Sequence, residues 1–132
     1  MEPVTFVDTN VLLRYVVGDG AGQAGRARAF VDTAEELVLP DPVVAEIEFV
    51  LRSVYRLART KVAQTLQMIL ALPAIVVGDL DLLTDTIDIY EHTPVDFQDA
   101  YLAACARQHS PAQIASFDRD FDRIPGVERV AP

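Results

Sequence analysis

Cysteine, lysine and long apolar runs are all scarce in this 132-residue chain, and each scarcity removes a class of protein. The one cysteine, Cys105, cannot close an internal disulfide, and its setting in Tyr-Leu-Ala-Ala-Cys-Ala-Arg-Gln reads as a small buried side chain without a chemical role. No stretch of eighteen uncharged apolar residues occurs, so no helix is expected to span a membrane. The opening MEPVTFVDTN has neither the basic region nor the apolar core of a secretory signal. The expectation is a soluble, cytoplasmic chain with no membrane partner. Basic residues are few as well: eleven against twenty acids, a formal charge of −9, which counts against binding nucleic acid through a broad basic surface. Internal repeats, low-complexity tracts and linker-like runs are also missing, so residues 1–132 are read as one domain. That length buries a core without a disulfide or structural metal.

What is present is an alternation of short apolar runs and longer helical patterns. Residues 4–7 read as a buried strand ending on Asp8, followed by a helix over 11–17 that stops near Gly18 and Gly20. A second helix is expected over 24–34 and a strand over 37–39. Asp41-Pro42 reads as an N-cap with proline at the first helical position of a helix reaching about Arg56. A helix over 60–72 ends at Pro73, and 75–77 is a β-branched strand. Leu80, Leu83, Ile87 and Tyr90 mark one face of the next helix, whose other face, with Asp81, Asp85 and Asp88, reads as solvated. An alanine-rich helix over 97–108 is expected to pack on several sides, with strands at 114–116 and 127–130. Strands separated by helices predict an α/β fold with a parallel sheet covered on both faces and sites outside the carboxyl ends of its strands. Asp8 and Asp118 both fall at such ends.

Four carboxylates stand out, each with a plainer explanation beside it. Asp8 follows the strand at 4–7 and precedes Thr9-Asn10, so it serves either a site or the cap of the next helix. Glu46 borders the stripe drawn by Val43, Ile47, Val50, Leu51 and Val54, and a glutamate leaning on a core needs an arginine or a metal as partner. Glu48 falls near Arg52, Arg56 and Arg59 and reads as an ordinary solvated acid. Asp99 lies within a helix that either Asp96 or Thr93-Pro94 begins. Asp96 suits a capping role, as in a capping box with Thr93 as N-cap, which leaves Asp99 deeper among alanines and aromatics as the better functional candidate. Asp118, in Ser-Phe-Asp-Arg-Asp, is a site residue or, like Asp120, a turn residue. A hard divalent cation takes a few carboxylates and leaves positions for water and phosphate, so gathered acids of this kind suit it. Two such ions would add four positive charges and bring the formal charge to about −5, easing the objection to an anionic substrate.

The segments Val-Asp-Thr-Asn-Val-Leu-Leu-Arg-Tyr at 7–15, Val-Ala-Glu-Ile-Glu-Phe-Val-Leu at 44–51, Asp-Phe-Gln-Asp-Ala at 96–100 and Ser-Phe-Asp-Arg-Asp-Phe at 116–121 resemble the PIN domain. More narrowly they are similar to the toxins of VapBC toxin–antitoxin systems. Each motif is short, but four in the family's order span nearly the whole chain. The resemblance implies that Asp8, Glu46, Asp99 and Asp118 form an acidic metal-binding cluster supported by Asn10 and Ser116, the last standing where the family often has threonine. It also implies a three-layer α/β/α sandwich with a central parallel sheet, a homodimer, Mg²⁺ or Mn²⁺ dependence, endoribonuclease activity and inhibition by an antitoxin protein.

Metal held by the four acids would lower the pKa of a water, deliver hydroxide to a backbone phosphorus and neutralise charge on the phosphate. No histidine is needed, and His92 and His109 read as surface residues. Arg14, Arg26 and Arg28 lie in the early helices, and Arg52, Arg56 and Arg59 share an outer face if their helix runs far enough. Such cations are solvated, or they contact phosphate or an acidic partner segment; Arg14, six residues after Asp8, is the first to test. Three other functions stand beside this one. A non-catalytic RNA- or protein-binding member of the fold is disfavoured by intact acids at all four positions, whereas a housekeeping nuclease without an antitoxin shares them. Phosphoryl transfer through an aspartyl intermediate, as in receiver domains and haloacid-dehalogenase phosphatases, needs a late lysine. The only lysine here is Lys61, within a helix, and Asn10 stands two residues after Asp8 where the phosphatases use aspartate.

Overall fold

The computed structural model describes residues 3–18 and 22–132, and its chain divides into two compact units, Met1–Gly78 and Asp79–Pro132. Both are mostly helical with a small parallel sheet, so the α/β class and the parallel pairing expected from alternating strands and helices are present. No helix among the described residues is long and apolar enough to cross a membrane.

In the first unit, α1 (Thr9–Val17) and α2 (Gln23–Thr33) precede β1 (Leu37–Val38), and α3 (Asp41–Ser53) and α4 (Arg59–Leu70) precede β2 (Ile75–Val76). β1 is central. It pairs in parallel with β2, Leu37 opposite Ile75 and Val38 opposite Val76, and on its other side with the chain around Phe6. The alternation of a strand's amides explains both contacts: Leu37 and Leu39 donate to Ala74 and Val76, while Val38 donates to Thr5 and accepts from Val7. The strand expected over 4–7 is thus reduced to a single bridge, and of its four side chains only Val7 is buried. α1 ends at Gly18, in the left-handed region at φ 71°, whose amide returns to the Arg14 carbonyl. Gly20, the other expected stop, lies outside the described residues.

α3 begins one residue earlier than expected. Pro40 is its N-cap, with Asp41 and Pro42 in the first turn. It ends at Ser53, not near Arg56, because the backbone at Arg56 is left-handed at φ 57°. Arg52, Arg56 and Arg59 therefore do not form one helical stripe. The buried residues of α3 are Val44, Ile47, Glu48 and Leu51. The stripe expected through Val43, Val50 and Val54 is rotated by about one position, which carries Glu48 inward and Glu46 outward.

The second unit contains α5 (Leu80–His92), α6 (Phe97–Arg107), β3 (Gln113–Ala115), a 3₁₀ helix (Arg119–Arg123) and β4 (Glu128–Val130). β3 and β4 pair in parallel, with Ile114 opposite Arg129. Asp79 caps α5 by accepting from the Leu82 amide at 3.0 Å, and Gln108 donates to its other oxygen; the Leu82 bond is the main reason its carboxyl is held below the usual range. Leu82, Leu83, Ile87, Ile89 and Tyr90 are buried, and the Tyr90 and Phe97 rings meet edge to face at 5.6 Å. Leu80, expected on the buried face, is exposed. The acid stripe is paired as well as solvated: Asp85 meets Arg107 at 3.4 Å and Asp88 meets His92 at 3.2 Å. On α6 only Phe97, Ala100, Ala103 and Ala104 are buried, so this helix packs through one face and not on several sides. Alanine there allows close approach without marking which sides are covered.

Candidate functional site

Each unit supplies two of the four candidate carboxylates. In the first, Asp8 sits in extended backbone as the N-cap of α1, and its Oδ1 accepts from the Thr9 amide at 2.8 Å. The capping explanation for Asp8 is therefore real, and it engages one oxygen. Glu46 is exposed on α3, opposite the buried stripe, and its Oε2 accepts a 3.0 Å hydrogen bond from the Thr9 hydroxyl. Thr9 itself is 3% exposed. One threonine thus stands between two candidate acids, donating its amide to one and its hydroxyl to the other. It received no role from the sequence; a hydroxyl residue directly after Asp8, opening a helix of apolar side chains, was the available signal.

The expectation that Glu46 leans on the core is corrected, and so is the solvated reading of Glu48. Glu48 is 4% exposed, and its Oε2 accepts from Arg52 Nε at 2.8 Å. That i,i+4 partner is what makes its burial tolerable, since an unpaired carboxylate there would be costly. The Arg52 guanidinium also lies 5.5 Å from the Phe49 ring centre.

In the second unit Asp96 is the N-cap of α6, accepting from the Asp99 amide at 2.9 Å. The cap is Asp96 and not Thr93, so Asp99 falls in the first turn and not deeper. Asp99 is half-buried, and its carboxyl is raised above the usual range, first by burial and then by the charges of Asp96, Asp118 and Asp120. Asp118 is held by its neighbours on both sides. Its amide donates to Ser116 Oγ at 2.9 Å, and its Oδ1 accepts from the Asp120 amide at 2.9 Å, capping the 3₁₀ helix. Ser116 thus supports Asp118 through its hydroxyl, while its carbonyl accepts from Arg129, which also pairs with Asp122. Asn10 and Arg14 lie on α1, Asn10 exposed and Arg14 half-buried, and both border a cleft of the first unit. His92 and His109 are exposed, as expected.

Glu48, Asp85 and Asp122 all have arginine partners. Among the described residues, none of Asp8, Glu46, Asp99 and Asp118 forms an ion pair with a cationic side chain. Nor does any group of three or more His, Cys, Asp or Glu side chains among them stand arranged to hold a metal ion. The chemistry of the donors still fits a hard divalent cation: all are carboxylate oxygens, and Asp99 bears repulsion that a cation would relieve.

No curated protein matches the chain. Comparison with known families matches residues 5–127 to the PIN domain, a span that includes Asp8, Glu46, Asp99 and Asp118. The chain belongs to the PIN domain family.

Proposed function

We propose that this protein is a metal-dependent endoribonuclease, the toxin of a VapBC-type toxin–antitoxin pair, which hydrolyses RNA phosphodiester bonds with Asp8, Glu46, Asp99 and Asp118 as its metal-binding and catalytic carboxylates. PIN domains are generally metal-dependent nucleases, and PIN nucleases act on RNA. The observation that carries the reading is the absence, among the described residues, of a cationic partner for any of the four acids, in a chain where Glu48, Asp85 and Asp122 each have an arginine. Mg²⁺ or Mn²⁺ bound by such carboxylates lowers the pKa of a water and offsets charge on the scissile phosphate. The protein's own part is positioning: Thr9 holds Glu46, Ser116 and the Asp120 amide hold Asp118, and the Asp96 cap fixes the turn that carries Asp99. The same reading makes residues 1–132 a single three-layer α/β/α domain, cytoplasmic, homodimeric and silenced by a cognate antitoxin.

The test is cleavage of a structured RNA by purified protein. We expect activity with Mg²⁺ or Mn²⁺, none in excess chelator, and none from Asp8→Asn or Asp99→Asn at unchanged circular dichroism. The double variant should be no worse than either single one, because residues acting as a unit are not additive. Full activity in chelator or in the variants would overturn the reading. Toxicity on expression, relieved by the product of an adjacent gene, separates a toxin from a housekeeping nuclease.

A further inference from the structure

In so acidic a chain, the places where cations gather are informative. In the first unit α1 and α2 border an open cleft of about 610 Å³, within the size range of ligand sites. α1 contributes Asn10 and Arg14, four residues apart and so on one face; α2 contributes Gln23, Arg26 and Phe30, again at helical spacing. Arg26 and Phe30 are exposed, the phenyl ring by half its surface. No carboxylate is among the described residues lining the cleft.

Two guanidinium groups, two carboxamides and an open aromatic face suit a ligand that is anionic, polar and flat in parts. Guanidinium pairs with phosphate, amides reach base edges, and a phenyl ring stacks a base of any identity. An acidic peptide would use the arginines but leave the ring without a partner. The cleft begins at Asn10, in the same first turn of α1 that carries Thr9 and follows Asp8. Arg28 is not among the residues that line the cleft; its Nε donates to the Tyr15 carbonyl at 3.3 Å.

We propose that the α1–α2 cleft is a track for single-stranded RNA, with Arg26 and Arg14 on the phosphate backbone and a base stacked on Phe30, leading the strand toward Asp8. The choice of RNA rests on the nuclease reading; the cleft as an anion and base site rests on its own side chains.

Binding and cleavage are measured separately. Anisotropy of a fluorescein-labelled single-stranded oligoribonucleotide, with the full chain in EDTA, reads binding alone. Arg26→Gln is expected to weaken it roughly tenfold and to reduce the slope of log affinity against log salt by about 1. Phe30→Ala is expected to weaken it roughly tenfold with the slope unchanged, and Phe30→Trp to restore it. That tryptophan would be the chain's only one, so its fluorescence should be quenched as RNA is added. Arg123→Gln, at an exposed position of the 3₁₀ helix, should change neither quantity. Unchanged binding in both Arg26→Gln and Phe30→Ala overturns the track. So does a poly-glutamate peptide whose binding needs Arg26 while RNA binding does not. Binding that maps to the cleft in a chain that cuts no RNA with Mn²⁺ sinks the nuclease reading alone; cleavage with undiminished kcat/KM in both cleft variants sinks the track alone.

Discussion

Thr9 donates its hydroxyl hydrogen to Glu46 across 3.0 Å, tying the first turn of α1 to α3. Thr9→Val keeps the side chain's shape and removes that donor. Glu46, exposed, can turn to water, so the melting temperature should hardly move while RNA cleavage falls roughly 10- to 100-fold, the usual effect of losing a hydrogen bond that orients a ligand. Thr9→Ser should recover most of it. Single-turnover cleavage beside a thermal melt checks this, and wild-type turnover in Thr9→Val would show that the bond is incidental.

Glu46 and Glu48, two residues apart, are expected to fail in opposite ways. Glu48→Gln weakens a buried ion pair whose arginine is half in water, so we expect a loss of about 1–2 kcal/mol in urea unfolding, with cleavage intact. Glu46→Gln should abolish cleavage with no loss of stability. Reversal of the pattern would exchange the roles given to the two glutamates.

Asp99 is expected to reveal itself through pH. Its folded-state pKa is raised above the ordinary 3.8, chiefly by burial and then by Asp96 and Asp118. A carboxyl of that kind contributes stability that is complete below its unfolded pKa and is lost as the pH rises through the folded one. At pH 7 its charge therefore opposes folding. Asp99→Asn should raise the metal-free melting temperature at pH 7 slightly, since water screens a group this open, with the gain shrinking toward zero below pH 3.8. Melts across pH 3–7 test the sign; a destabilised Asp99→Asn at neutral pH would contradict it.

Gly18 closes α1 at φ 71°, and a β-carbon there would stand 2.6 Å from Arg28 Nη2. Gly18→Ala thus meets both a strained backbone and a guanidinium that must move, and is expected to cost about 1–2 kcal/mol in denaturant unfolding. Adding Arg28→Ala should recover the steric part and leave the strain.

Much of this was legible in the sequence, for reasons that differ by element. The helices showed because apolar side chains recur at helical spacing, and Asp96 showed as a structural acid because a carboxylate before Phe97 suits a helix start. What failed was finer than the period. The phase of α3 was off by about one residue, since valines at 43, 50 and 54 looked as apolar as the true core positions. Only Arg52, one turn beyond Glu48, hinted that a glutamate was the buried one. The end of α3 was hidden because nothing in arginine's chemistry announces a left-handed backbone at Arg56. The strand expected over 4–7 contracts to one bridge because an apolar run does not say which of its faces is covered. Among the site residues, the acids could be named from their motifs. Thr9 could not, because its role depends on a contact between residues 37 positions apart.

The hydrogen bonds that hold the carboxylates also limit how they can ligate. Asp8 gives Oδ1 to the Thr9 amide, Asp118 gives Oδ1 to the Asp120 amide, and Glu46 gives Oε2 to the Thr9 hydroxyl. Each is thereby biased toward offering a single oxygen. Calcium favours crowded shells that include carboxylates clasping it with both oxygens, whereas magnesium prefers an octahedron of single-oxygen ligands completed by water. Under the proposed function, discrimination between these ions is written into helix starts and one threonine, through the denticity they leave to each acid.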